Sequence, residues 1–350
     1  MDQVHSPCSD ENVLPDESET GAGIGTLQHR LDRYACGHQR ALQMSNYLKS
    51  QNEVKLSNRM ARCGSYLVFN HYFTVDELRL IAADFCFKPL LCPFCAMRRG
   101  AKYLRIYSEK VEELKRQNPG LQCYFVTLTV KNGPDLMERF NKLTGSFKQM
   151  RYARNSHLSN PVKNPHVEFA KAVGGVYSIE VKRGEGSNLW HPHMHILWLG
   201  YELPDQGKLS KEWLKWAGDS FIVHVKPVDD QENLVKCFLE VFKYALKFSD
   251  MTLEDNWHAF KKLSGKRLIN SFGCLRGVKV PEELADETID DLPYLQIFYE
   301  WMQAARGYSL VPEKTFVVKE EQEMTDYEKK KVSERNKEFL KKVETLNSKF

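Results

Sequence analysis

The chain has 350 residues, 42% of them hydrophobic and 11% aromatic, which is enough for one large or two ordinary domains with real cores. No apolar run approaches the roughly 18 residues of a membrane span, and no basic-then-apolar leader opens the chain, so the expectation is a cytoplasmic protein with no membrane partner. The net charge of +4 is uneven: six acids face one base in residues 1–30, 16 acids face 11 bases in 281–350, and 38 bases outnumber 24 acids between them. A basic middle between acidic ends suits a polyanionic partner.

In chain order, residues 1–30 are acidic and rich in Ser and Gly, and read as a disordered tail. Their "GAGIG" is a poor phosphate loop, because no strand precedes it and no Gly-Lys-Ser/Thr follows; no ATPase motor is expected. Residues 31–118 read as a helical segment carrying a cysteine knuckle. Cys63-Gly64 is followed by Cys86 and by Cys92-Pro-Phe-Cys95, and four thiolates suit a tetrahedral, structural Zn²⁺. Cys8, Cys36, Cys123, Cys237 and Cys274 read as ordinary thiols. Arg98, Arg99, Lys102 and Arg105 follow the knuckle at helical spacing; they either grip DNA phosphates or form a solvated face. The helix over 101–118 should stop at Pro119-Gly120.

Residues 119–280 show a regular alternation. "CYFVTLTV" (123–130) is a β-branched strand and 134–153 a helix. Two strands follow, "VGGVYSIEV" (173–181) and "HPHMHILWL" (191–199). A helix (210–220), a strand (221–228) and a long helix (231–249) complete the run. The order β-α-β-β-α-β-α predicts an α+β protein with a ferredoxin-like, RRM-like antiparallel sheet. Residues 281–350 read as a helical C-terminal region, with an aromatic-rich stretch at 292–310 and a charged helical tail at 319–350.

On a strand, His191, His193 and His195 project to one face. His193 and His195 can reach one divalent ion, unless they merely hydrogen-bond within a buried strand. A third ligand is either Glu180 on the preceding strand, the preferred choice, or His191. On the 231–249 helix, Glu240, Tyr244 and Lys247 share a face; they are a nucleophile with its charged neighbours or simply an amphipathic surface.

Together, "FVTLT" (125–129), "HPHMHILWL" (191–199), "YALK" (244–247) and the cysteine segment "FCFKPLLCPFC" (85–95) resemble plasmid rolling-circle replication initiators of the Rep class-1 type, within the HUH endonuclease superfamily. The resemblance covers roughly residues 60–275. It implies an HUH nuclease fold with a catalytic helix, and a metal-dependent enzyme that nicks one DNA strand and transfers it. It further implies Tyr244 as the nucleophile forming a 5′-phosphotyrosine, Glu240 as a carboxylate base and Lys247 as a phosphate partner. His193, His195 and Glu180 would hold Mg²⁺ or Mn²⁺. The implied partners are a single-stranded or hairpin plasmid origin, a host helicase and a DNA polymerase. The rival expectations are an HUH transposase or relaxase, and a non-catalytic zinc-containing DNA-binding regulator.

Overall fold

The computed structural model describes residues 23–184, 186–228, 231–242 and 251–318. It is a mixed α+β protein built on two antiparallel sheets. The expected acidic tail lies outside the described residues except at its end, where the chain is ordered rather than disordered. Helix α1 (Leu27–Ser50) already starts at Leu27, and Leu27 and Arg30 are buried. It ends where Asn52 takes a left-handed φ of 62°, a conformation that Asn tolerates well. Helix α2 (Val54–Ala61) follows. Midway along α1, a Cβ on Gly37 would fall 2.5 Å from Met97 Cε and 3.2 Å from the Phe94 backbone. Only glycine lets α1 cross α3 (Pro93–Gln117) so closely.

The expectation of a helical segment with a cysteine knuckle over 31–118 missed a hairpin, β1 (Tyr66–Tyr72) and β2 (Glu77–Ala83). Its missing neighbour comes from the far end of the sequence. Strand β8 (Tyr294–Met302) pairs with β1, with Leu67 opposite Tyr299 and Phe69 opposite Ile297. Strands β9 (Gly307–Leu310) and β10 (Phe316–Val318) extend the sheet from β8. The expected helical C-terminal region is therefore a set of strands over 294–318. Leu295, Ile297 and Tyr299 alternate inward with period two, the strand period. The charged helical tail expected over 319–350 lies outside the described residues.

The second sheet follows the predicted alternation closely. Strand β3 (Gln122–Thr129) leads to α4 (Leu136–Ser159), and β4 (Ala172–Arg183) and β5 (Trp190–Gly200) form a pair. Helix α5 (Gln206–Ala217), β6 (Val223–Val228) and α6 (Gln231–Phe242) come next. Caps fix two of the helices: Asp135 accepts from Glu138 N at 2.7 Å and Asp205 from Lys208 N at 2.9 Å, satisfying backbone donors the helix leaves open. Helix α7 (Leu253–Leu263) and β7 (Ile269–Gly273) were not anticipated, and β7 adds an edge. The strand order is β6-β3-β5-β4-β7.

This sheet is covered on both faces. One face packs Ile196, Trp198 and Met194 into a core with Leu143, Phe147 and Trp213 from α4 and α5. The other packs Val176, Leu197 and Leu199 against Leu104 and Tyr107 of α3 and Leu234, Phe238 and Val241 of α6. The odd-numbered histidines of β5 lie on that second face.

Candidate metal centres

Register brings the first cluster together. Strand β4 sets Glu180 opposite His193 and Ser178 opposite His195, and β3 sets Thr127 opposite His195 and Thr129 opposite His193. Directly opposed residues share a face. Glu180, His193 and His195 are all buried. One carboxylate oxygen, Glu180 Oε2, lies 3.5 Å from His193 Nε2 and 3.3 Å from His195 Nε2. The three residues can offer donor atoms within 4.8 Å of one another, a span that donors bound at about 2.0–2.2 Å to one ion would also have.

The opposite ring nitrogens are occupied. His195 Nδ1 hydrogen-bonds with Thr127 Oγ1 at 3.2 Å, and His193 Nδ1 reaches the His191 carbonyl at 3.4 Å. Tying Nδ1 leaves Nε2 to face the cluster, and such partners orient metal-ligating imidazoles. The ring of Phe125 stacks on His195 at 5.3 Å. Burial lowers the His195 pKa despite the nearby Glu180 and Glu240 carboxylates, so the ring is held neutral, as a ligand must be. Thr127 lies within the "FVTLT" stretch but was given no role of its own in the sequence; its place opposite His195 supplies one.

His191 stands apart from the group. Its Nδ1 meets Asn132 Oδ1, and burial pushes its pKa down to about 4. Glu240 does approach: α6 carries Oε1 to 3.7 Å from His195 Nε2, with the side chain 38% exposed. Tyr244 and Lys247 lie outside the described residues.

The second cluster is closed. Cys63 follows α2, Cys86 follows β2, Cys92 caps α3 and Cys95 sits in its first turn. All four are fully buried. Cys63 and Cys95 sulfurs are 3.4 Å apart, Cys86 and Cys95 3.5 Å, and Cys92 and Cys63 3.5 Å. A tetrahedral ion with bonds of about 2.3 Å would hold its sulfurs about 3.8 Å apart, so the set fits with small adjustment. Hydrogen bonds among the thiols hold Cys63 well above the ordinary thiol range and Cys86 well below it, while burial pushes Cys92 up. Cys123, Cys237 and Cys274 are free thiols as expected, whereas Cys36 is disulfide-bonded.

The expected phosphate-gripping row needs correction. Arg98 is fully buried, donating to Asp286 Oδ1 at 2.6 Å, the Leu284 carbonyl at 3.1 Å and Tyr34 Oη at 3.0 Å. Lys102 is buried 3.5 Å from the same carboxylate, and Arg99 donates to the Pro281 carbonyl and lies over the Tyr103 ring. Arg105 is paired with Glu109 at 3.2 Å on the surface. The helical spacing was read correctly, but this face looks inward at a loop 188 residues away. Burial opposes the Asp286 charge, yet Arg98, Arg30 and Lys102 hold its carboxyl below the ordinary value.

A family model described as "Replication protein" matches residues 77–202, the stretch that holds Glu180, His193 and His195. A "Protein rep" of Streptococcus pneumoniae serotype 2 (strain D39 / NCTC 7466) is 28% identical over 256 residues, covering 68% of this chain and 76% of the relative. A "Protein rep" of Bacillus amyloliquefaciens is 25% identical over 324 residues, covering 83% of this chain and 91% of its own. No solved structure matches. The resemblance to plasmid replication initiators of the Rep class-1 type is borne out. No helix among the described residues is long and apolar enough to cross a membrane.

Proposed function

We propose that this relative of the replication proteins initiates rolling-circle replication of a plasmid by nicking one DNA strand at its origin and holding the cut end covalently. The observation that carries the reading is the meeting of Glu180, His193 and His195 on one buried sheet face, beneath a helix that brings Glu240 to 3.7 Å from His195. The strand order β6-β3-β5-β4 arises from two interleaved βαβ units and supports a ferredoxin-like, HUH-type nuclease fold. The basic stretch 31–280 supports a DNA substrate.

In this reading His193, His195 and Glu180 hold a divalent ion, Mg²⁺ or Mn²⁺, which when bound supplies Lewis-acid polarisation of the scissile phosphate. Tyr244, four residues beyond Glu240 in sequence, is the nucleophile. Its phenolate oxygen bonds to phosphorus, the bond from phosphorus to the 3′ oxygen breaks, and that oxygen leaves as the 3′-OH that primes synthesis. Lys247 neutralises charge on the phosphate oxygens. Glu240, half-exposed where water can reach it, acts as the general base that lets water or a second strand end the cycle. The cysteine set holds a structural Zn²⁺. Unwinding is left to a host helicase and extension to a host polymerase, since no phosphate-loop motif is found in the sequence.

The test is incubation with a supercoiled origin plasmid and Mg²⁺, followed by a denaturing gel and peptide mapping of the adduct. Wild type should give nicked circles and a DNA–protein adduct at Tyr244. Tyr244→Phe should bind the plasmid and lower nicking by at least about 10³-fold, equivalent to roughly 4 kcal/mol. Binding by wild type with no nicked product would leave a zinc-containing DNA-binding regulator instead.

A further inference from the structure

We infer a second ligand site, for an unpaired DNA strand, in the cleft between α2 and the segment that carries Cys86. It rests on the reading of this chain as a DNA-acting protein but uses none of the nicking residues. The cleft encloses about 370 Å³ and is lined by Asn58, Arg59, Arg62, Asp84 and Phe85.

Both walls end in a cysteine of the closed cluster. Arg59 and Arg62 lead directly into Cys63, and Asp84 and Phe85 lead into Cys86. The walls are tied together by Gly64 N donating to the Asp84 carbonyl at 2.7 Å, Ser65 Oγ to Asp84 Oδ2 at 3.1 Å, and Cys86 N to Cys63 Sγ at 3.3 Å. The cysteine set therefore fixes the width of the cleft.

Phe85 lines one wall and is the middle of a row of three rings. Phe94 is buried, Phe85 stacks on it at 5.7 Å with planes 20° apart, and Phe87 meets Phe85 at 5.9 Å while remaining 51% exposed. Phe87 also has φ of +52°, a region that bulky L residues rarely adopt. Its edge contact with Phe85 leaves half of the ring exposed, and a glycine or asparagine would make the same turn at less cost. An exposed ring held in an unfavourable backbone conformation points to a ligand. The facing wall offers exposed Arg59 and Arg62, and Arg62 lies 3.4 Å from Asp84 Oδ2, a partner that a phosphate would displace.

Guanidinium groups beside an open aromatic face suit a nucleotide chain: phosphate on one side, base on the other. The strand must be unpaired, because a base inside a duplex has both faces covered by its neighbours. The Asn58 amide, lining the same cleft, can reach a base edge.

The test uses zinc-loaded full-length protein and a labelled single-stranded oligonucleotide of about a dozen nucleotides, followed by fluorescence anisotropy over a salt series. Phe87→Ala should weaken binding roughly five- to a hundred-fold. Arg59→Ala and Arg62→Ala should each lower the slope of log affinity against log salt by about 0.7. Phe87→Gly relaxes the backbone at +52°, so it should lose binding as Phe87→Ala does while unfolding no earlier than wild type. Binding by all four variants within twofold of wild type, with unchanged salt slopes, overturns the inference. Failure of the nicking reading looks different: wild type would bind the oligonucleotide and cut no plasmid.

Discussion

The two metal-capable clusters differ in how they are walled. The cysteine set takes its four donors from the end of α2, the segment after β2 and the start of α3, and every donor is fully buried. The Glu180, His193 and His195 set takes three donors from two adjacent strands, and its neighbour Glu240 is 38% exposed. Four donors with no opening suit an ion that holds structure, whereas three donors beside an opening leave room for a substrate oxygen. The same fold thus builds two metal-capable groups, and enclosure distinguishes them more than donor chemistry does.

That contrast can be broken in three ways, in descending order of effect. Cys92→Ser should abolish Zn²⁺ retention and destabilise the protein by at least about 5 kcal/mol, a large share of the stability of most domains. Metal analysis and thermal unfolding would read it, and an unchanged midpoint would mean that the closed cluster does not hold the fold. Next is the carboxylate that ties the C-terminal segment to α1 and α3. Asp286→Asn strands the buried Arg98 and Arg30 beside Lys102, at a cost of about 3–5 kcal/mol in urea unfolding.

Its pH dependence has a definite sign. The folded Asp286 carboxyl lies below its ordinary value, so the unfolded chain takes up that proton first as pH falls. The contribution is full above about pH 4 and is lost as pH drops through the lower folded value. The urea midpoint of wild type should therefore fall more steeply with acid than that of Asp286→Asn. The smallest effect concerns the open cluster. Thr127→Val removes the hydrogen bond to His195 Nδ1 and should weaken divalent-ion activation of nicking roughly 10- to 100-fold. The unfolding midpoint should hardly move, and a large shift would show that Thr127 supports the fold rather than the ion.

Much of the second sheet was legible because its elements announce themselves locally. Alternation in "HPHMHILWL" and the β-branched "CYFVTLT" give strands, whereas the cap at Asp205 was missed and its helix was expected at 210–220 instead of Gln206–Ala217. The His193 and His195 pair was visible for the same reason, and the β4–β5 pairing supplied Glu180. What escaped depends on distant partners. The hairpin of β1 and β2 was hidden among the cysteines, although "YLVFNHY" has strand composition. "YLQIFYEWM" alternates too, but its neighbour is β1. Arg98 and Lys102 have the spacing of a solvated helix face, and only a carboxylate 188 residues on makes that face an interior.

The pairing of β1 with β8 has a temporal side. Leu67 lies opposite Tyr299, so β1 waits for a partner made about 230 residues later. At roughly 5–20 residues per second, synthesis leaves that apolar strand without its neighbour for on the order of 10–50 s. During that interval the nascent chain carries an open strand edge, a template for pairing with the wrong chain. A product ending before residue 294 would keep that edge for good. Its fate would be set by chaperones and proteases before it ever met DNA.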